Sequence, residues 1–382
     1  MKKISLSEPN FSSLEKKYLI KCISSGFVSS IGKFVNLFER KISKFINVKH
    51  CVSCINGTSA LDISVKLFCK KNVDEAIVPT MTFVATINAL KYNGISPIFM
   101  DCDKYFNIDE NKTINFIKKN TKFVNGKTIN KKTGKTISAI IIAHIWGNAA
   151  SVDKLIPLCK KRNIKIIEDA AESFGTRYIS GKFKGKFTGA LGDIGIFSFN
   201  GNKIITAGSG GAIVSNKKSF IDKAKYLTTQ ARDKKFDYIH GAVGYNYRMS
   251  NLNAAVGLAQ LEKIREKIKR KKEIHNFYKK ELKNNAKYNL CRIPIYSNNN
   301  IWINILMIKN KKISRTGLYK KMKKKFIEIR PIWYPIHLLK PYKKYQTYMI
   351  SNAINLHKTC VCLPSSPNLD NKDLKRIILN LN

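Results

Sequence analysis

The sequence predicts an α/β chain, with a large domain built on a mostly parallel central sheet and a smaller α+β domain at the C-terminal end. Three observations predict it. Short apolar runs alternate with helical patterns between residues 51 and 215, as in strands joined by crossover helices covering both faces of a sheet. Residues suited to ligand binding, Gly57-Thr58, Thr80, His144 and Asp169, all fall where such strands end, the edge at which parallel sheets bind ligands. The alternation stops near Leu252, where a long helical pattern leads into shorter mixed segments.

The elements follow in order. Residues 51–55 read as a strand, followed by a turn at Gly57 and a helix over 58–68. A strand at 75–78 ends at Pro79, and 83–92 is helical up to Asn93-Gly94. Strands are expected at 96–100 and 138–143, with the lysine-rich stretch 120–135 between them as a surface loop or hairpin. Ser151 is placed to N-cap a helix running to about Arg162. Strands follow at 164–168, 195–199 and 212–215. A single helix over 253–283 carries Leu258, Leu261, Ile264 and Ile268 at helical spacing, and mixed segments at 301–308 and 317–326 come after it. The expected division is a large domain over 1–252, then a linking helix and small domain over 253–382.

Composition bounds the class. A chain of 382 residues at 44% hydrophobic can bury a substantial core. Its first residues contain no apolar run of signal-peptide length, and its most apolar stretch, 137–146, is too short to span a bilayer. A cytoplasmic protein without membrane insertion is expected. Nine cysteines lack disulfide-framework spacing, and Cys51-x-x-Cys54 has no second pair to complete a metal site, so these read as buried small side chains and no metal is expected. The formal charge of +45 suggests nucleic acid, but only eleven of the 70 basic residues are arginine and the lysines are spread along the chain. No nucleic-acid motif accompanies them, so no specific nucleic-acid partner is expected. A positive field would still help to attract a phosphorylated substrate.

Lys203 is unlike the other lysines. It lies among Ser198, Thr206 and a run of glycines, downstream of a buried strand ending in Glu168-Asp169. A lysine held at a fixed point can form a Schiff base, and a carboxylate at a strand end suits the pyridinium nitrogen of a cofactor. The constellation reads as a pyridoxal 5'-phosphate site. Asn56-Gly57-Thr58-Ser59, between a strand and a helix, is either an anion cradle or an ordinary turn with Thr58 or Ser59 as cap. Asp169 taken alone is either that cofactor partner or a cap on Ala170-Ala171, and Ser198 could bind the cofactor phosphate.

The run Ile167-Glu-Asp169-Ala-Ala-Glu172-Ser-Phe-Gly175-Thr, then Phe197-Ser198-Phe199 to Lys203 and Thr206-x-Gly208-x-Gly210-Gly211, resembles the DegT/StrS family of nucleotide-sugar aminotransferases, which have fold type I. The likeness extends through Asn56-Gly57-Thr58-Ser59-Ala60-Leu61, Pro79-Thr80-Met81-Thr82-Phe83, Gly244-Tyr-Asn246-Tyr-Arg248 and Trp333-Tyr334-Pro335-Ile336-His337, nearly the whole chain in order.

The resemblance implies that Lys203 forms the Schiff base and that Asp169 partners the pyridine nitrogen. Phe83 would stack on the ring, while Gly57, Thr58 and Ser198 hold the phosphate. Asn246 would reach the cofactor of a neighbouring subunit, implying a homodimer with shared active sites. His144 would lie near the ring, and Arg330, Tyr334 and His337 would meet the sugar nucleotide. Glu172 stands where many members have Gln, so a hydrogen bond near the ring hydroxyl differs or needs a protonated acid. Members that dehydrate sugars carry His in place of the lysine, and Lys203 argues against that outcome.

The implied reaction moves an amino group from L-glutamate to a nucleotide-linked keto-sugar. The motifs look most like the branch acting at C4 of a UDP-linked 4-keto-6-deoxy-N-acetylhexosamine, towards bacillosamine- or legionaminic-acid-type surface glycans. The GDP-linked perosamine branch is the runner-up, with 3-keto-sugar amination as a further alternative. A non-catalytic nucleic-acid-binding regulator is the rival of a different class. Such a shell has little reason to keep Asp169, Ser198, Lys203 and Asn246 together.

Overall fold

The computed structural model describes residues 2–234 and 236–381. Its central sheet runs in the order His50–Cys54, Gly211–Ser215, Ile194–Ser198, Lys165–Asp169, Thr136–Ala143, Asp74–Pro79, Ser96–Met100, Thr347–Tyr348. The first two neighbouring pairs are antiparallel, and every pair from Ile194–Ser198 onward is parallel. The predicted strands are present to within a residue or two of their expected limits, and Ser96–Met100 lies where expected.

Alternating residues supply the two cores. Ala139, Ile141 and Ile167 face one core, together with Val65 and Leu90 from the crossover helices. Ile140, Ile142 and Ile166 face the other, with Phe116 and Leu155. A strand buried on both faces has no polar side to show, which is why these runs are continuously apolar. The topology also brings Pro79, Ala143, Asp169, Ser198, Gly211 and Cys54 to one edge, since Gly211 pairs with both Ser198 and Cys54.

Two expectations change. The helix over 253–283 is two helices, Asn251–Glu262 and Ile264–Glu281, which meet at Lys263 with φ −101° and ψ 8°. Each half follows its own partner. Ala254, Ala255 and Leu258 pack into the core beneath the first sheet, whereas Ile274 and Tyr278 pack against the second. Ser151 does not cap the next helix, which is Leu155–Lys161. Ser151 Oγ donates to Glu110 Oε2 at 2.7 Å, and Glu110 Oε1 accepts from the Lys154 and Leu155 amides at 2.8 and 3.0 Å. A carboxylate from an earlier helix therefore does the capping. The stretch 120–135 takes the second of its two expected forms, a hairpin, Thr121–Val124 with Lys127–Asn130, turned at Asn125-Gly126 with both residues at positive φ.

The second sheet is antiparallel, in the order Tyr288–Leu290, Asn304–Ile308, Cys360–Leu363, Arg330–Pro331. Arg315–Lys324 and Asn371–Leu381 cover it with Leu318, Met322, Leu374 and Ile377. Two segments cross the expected 252/253 division. Ile4 bridges to Ile327, and Thr347–Tyr348 extends the first sheet beside Ser96–Met100. Among the described residues, no helix is long and apolar enough to cross a membrane.

Candidate active site

A cleft of about 360 Å³ opens at the shared strand edge. One wall is the start of the helix Gly57–Phe68, where Asn56 is the N-cap and its Oδ1 accepts from the Ser59 amide at 2.8 Å. Neither Thr58 nor Ser59 caps. The cap leaves the amides of Gly57 and Thr58 at the positive end of a helix dipole, beside Ser198. The fit is close: a Cβ on Gly57 would stand 2.8 Å from Ser198 Cβ, and one on Gly211 would stand 2.4 Å from the Asn56 carbonyl oxygen.

Opposite this cradle lies Asp169, almost fully buried. Its Oδ2 accepts from Thr86 Oγ1 at 2.6 Å and its Oδ1 from the Ala171 amide at 3.2 Å. Burial pushes its pKa up; the Thr86 and Ala171 hydrogen bonds, Lys203 and His144 oppose the shift without cancelling it. Burial likewise pushes the Lys203 amine down, against the pull of Glu172 and Asp169. Such an amine is more readily neutral, as a nucleophile or base must be. Its Nζ stands 3.9 Å from the ring centroid of Trp302. That residue is fixed at its ring, where Nε1 donates to the Asn202 carbonyl at 2.7 Å, and at its backbone, where the Trp302 carbonyl accepts from Lys271 Nζ at 2.8 Å.

The structure brings Gly57, Thr58, Phe83, His144, Asp169, Glu172, Ser198 and Lys203 to the cleft. His144 uses both ring nitrogens within the protein. Nδ1 accepts from the Ala150 amide at 3.1 Å, so Nε2 donates to Glu168 Oε2 at 3.0 Å. Four expected residues are not among the cleft's lining. Arg330 is exposed and paired with Glu328 Oε1 at 2.6 Å, and Tyr334 packs edge-on to His357. His337 Nδ1 lies 2.6 Å from Thr80 Oγ1, and Asn246 is exposed beside Thr229. Sequence reasoning left out Thr82, Thr86, Asn202, Trp302 and Trp333, which also line the cleft. Trp333 stood inside a quoted motif; Trp302 had no local signal. A wider basic groove of about 970 Å³, bordered by Lys44, Arg177, Arg265 and Lys269, contains none of the candidate residues.

The model of the DegT/DnrJ/EryC1/StrS aminotransferase family matches residues 9–382. The chain belongs to this family. It is 34% identical over 383 residues to a GDP-perosamine synthase of Escherichia coli O157:H7, covering 100% of this chain and 98% of that one. It is 31% identical over 378 residues to a UDP-4-amino-4,6-dideoxy-N-acetyl-beta-L-altrosamine transaminase of Campylobacter jejuni, covering 97% of this chain and 95% of that one. Helicobacter pylori PseC, an aminotransferase involved in the biosynthesis of pseudoaminic acid, superposes with a TM-score of 0.89 at 24% identity, over 100% of this chain and 98% of that one. Likeness at that identity speaks for the fold, which is type I.

This aminotransferase depends on pyridoxal 5'-phosphate, and the residues present fit the group. Asp169 is a buried carboxylate held by two neutral donors and suited to a cation. The Gly57–Thr58–Ser198 corner is closed to any added Cβ yet rich in donors, and Lys203 is the lysine that lines the cleft.

Proposed function

We propose that this aminotransferase moves an amino group from L-glutamate to C4 of a nucleotide-linked 4-keto-6-deoxy sugar, in a homodimer with shared active sites. The observation that carries the reading is the convergence of a donor-lined phosphate corner, a buried carboxylate and a desolvated lysine amine in one cleft. When bound, the cofactor supplies an electron sink and carries the amino group between the two substrates. Gly57, Thr58 and Ser198 would hold its phosphate, and Phe83 would cover its ring. Asp169 would hold the ring nitrogen in its protonated form, with Thr86 orienting the carboxylate. Lys203 would anchor the cofactor and, once displaced, take up and return the proton at its Nζ. Trp302 would keep that amine in place without neutralising it.

The quoted motifs favour a UDP-linked N-acetyl sugar. The full-length likeness to a GDP-perosamine synthase supports a second reading, in which the nucleotide is GDP. Asn246 stands outside the cleft of its own subunit, and exposed Val243 and Tyr238 mark apolar surface nearby in sequence, as a dimer contact would need. All nine cysteines are unpaired in the described residues, which suits a cytoplasmic enzyme. The test is a panel of UDP-, GDP- and dTDP-linked 3-keto- and 4-keto-6-deoxy sugars with glutamate, products read by mass and proton coupling. Amination at C4 of one of them is expected. Amination at C3 alone, or of no sugar nucleotide, would overturn the reading.

A further inference from the structure

All three tryptophans of the chain, Trp146, Trp302 and Trp333, stand in one stack beside the cleft. Trp146 lies between the other two, its ring 5.8 Å from Trp302 and 4.8 Å from Trp333, with interplanar angles of 16° and 22°. Trp333 in turn packs 5.2 Å from Phe83. The three rings come from three separate parts of the chain. Trp146 follows the strand Thr136–Ala143 at positive φ, and Trp302 precedes a strand of the second sheet. Trp333 lies on the crossing that runs from the second sheet back to the Thr80 turn, where the Ile336 amide donates to the Thr80 carbonyl at 2.9 Å.

One side chain joins this stack to the cleft. Glu172 is almost fully buried; its Oε2 accepts from the Trp146 amide at 2.7 Å and its Oε1 accepts from Trp333 Nε1 at 3.3 Å. Its own backbone is pinned, because Asn300 Nδ2 donates to the Glu172 and Phe174 carbonyls at 3.0 Å each. Two N–H groups approach two different oxygens, so a carboxylate satisfies both. A glutamine in the same place would turn an NH2 towards one of them.

We propose that Glu172 is a positioning residue whose carboxylate grips the Trp146 backbone and the Trp333 ring together, and so sets where the crossing over 332–337 stands above Phe83 and the cofactor cleft. The grip depends on charge. Protonation converts one acceptor oxygen into a hydroxyl donor, and the longer bond, to Trp333, is the one to fail. Burial, which Asp169 reinforces, outweighs Lys203 and the two N–H bonds and leaves the Glu172 carboxyl raised to about 7. The buried Cys362 thiol of the second sheet also faces it, with Arg330 beyond. The ammonium of Lys203 favours the gripping form of Glu172 whenever that amine is free and charged. The consequence for sugar-nucleotide binding rests on the proposed function; the positioning itself does not, and can be read without cofactor or substrate.

Because the stack contains every tryptophan, emission excited at the indole edge reports this site alone. In the cofactor-free protein, emission is expected to titrate with a midpoint near neutrality. The E172Q variant should lose most of that amplitude, about five-fold or more, and W333F should lose its larger share. Removing the amine with K203M should move the midpoint to higher pH. Circular dichroism and melting would check that each variant is folded; a misfolded E172Q leaves W333F and K203M to decide. An unchanged titration in folded E172Q, or full amplitude in W333F, would overturn the proposal. In the holoenzyme, E172Q should raise the KM for the sugar nucleotide several-fold more than it lowers the rate with glutamate alone. Failure of that arm with an intact fluorescence result would fault the substrate reading and leave the positioning role standing.

Discussion

Replacing Asp169 with Asn tests the electrostatic core of the site most directly. The change keeps the shape: the Asn oxygen can still accept from the Ala171 amide, and the Thr86 hydroxyl, which also has Thr82 Oγ1 at 3.0 Å, can turn to accept from the new NH2. What it removes is a full negative charge in a nearly water-free setting. A unit charge pair at contact distance is worth about 4 kcal/mol at an effective dielectric constant of about 20. A barrier change of that size corresponds to roughly a thousand-fold in rate. The loss should fall on turnover more than on cofactor affinity, because the corner at Gly57, Thr58 and Ser198, proposed to hold the phosphate, is untouched and the carboxylate matters most when charge builds on the ring. The assay pairs single-turnover reaction of the cofactor-loaded variant with glutamate against a titration of cofactor binding. Thr86→Val, which only frees the carboxylate to turn, should cost far less, on the order of ten-fold. A D169N enzyme within ten-fold of the parent would refute the reasoning and leave Asp169 as the cap of Ala170-Ala171.

Three further outcomes follow from the same geometry. Lys203→Ala should abolish transamination and the visible absorbance of lysine-linked cofactor; full turnover by that variant, read by 2-oxoglutarate release, would sink the assignment. If Asn246 serves the partner's cofactor, mixing Lys203→Ala and Asn246→Ala subunits places both defects in one site and restores the other. Some heterodimers should then exceed both parents, whereas simple averaging after confirmed exchange, with an impaired Asn246→Ala parent, would count against a shared site. Lys271 is buried with two carbonyl partners, Trp302 and Ser365, and burial lowers its pKa from 10.5 to about 7. The unfolded chain therefore binds more protons between those values, so stability should rise with pH across that window by up to about 1.4 kcal/mol per unit. Lys271→Met should flatten this rise in pH-dependent unfolding; an identical slope in the variant would show that the amine stays charged.

The sheet and the close meeting of Gly57 with Ser198 and of Gly211 with Asn56 were legible because each has a local cause. A run such as Ile140, Ile141 and Ile142 must be buried on both faces, and glycine at 57 and 211 answers a contact with a residue across the corner. Lys203 and Asp169 were legible for a related reason: each contrasts with its own neighbours. The helix break at Lys263 was not, because neither Pro nor Gly marks it; it arises from two packing partners that want different directions. Ser151 misled because the capping carboxylate comes from Glu110, on another helix. The aromatic wall is the hardest case. Each of its three tryptophans, taken singly, reads as an ordinary core residue, since no spacing along the chain relates 146, 302 and 333. Only the return of the crossing at Trp333 to the first sheet brings them together, and the residue that joins them had drawn notice merely as Glu in place of a commoner Gln. The choice of Glu is intelligible once both donors are seen: two N–H groups from two separate segments converge on one side chain, and a carboxylate can accept both.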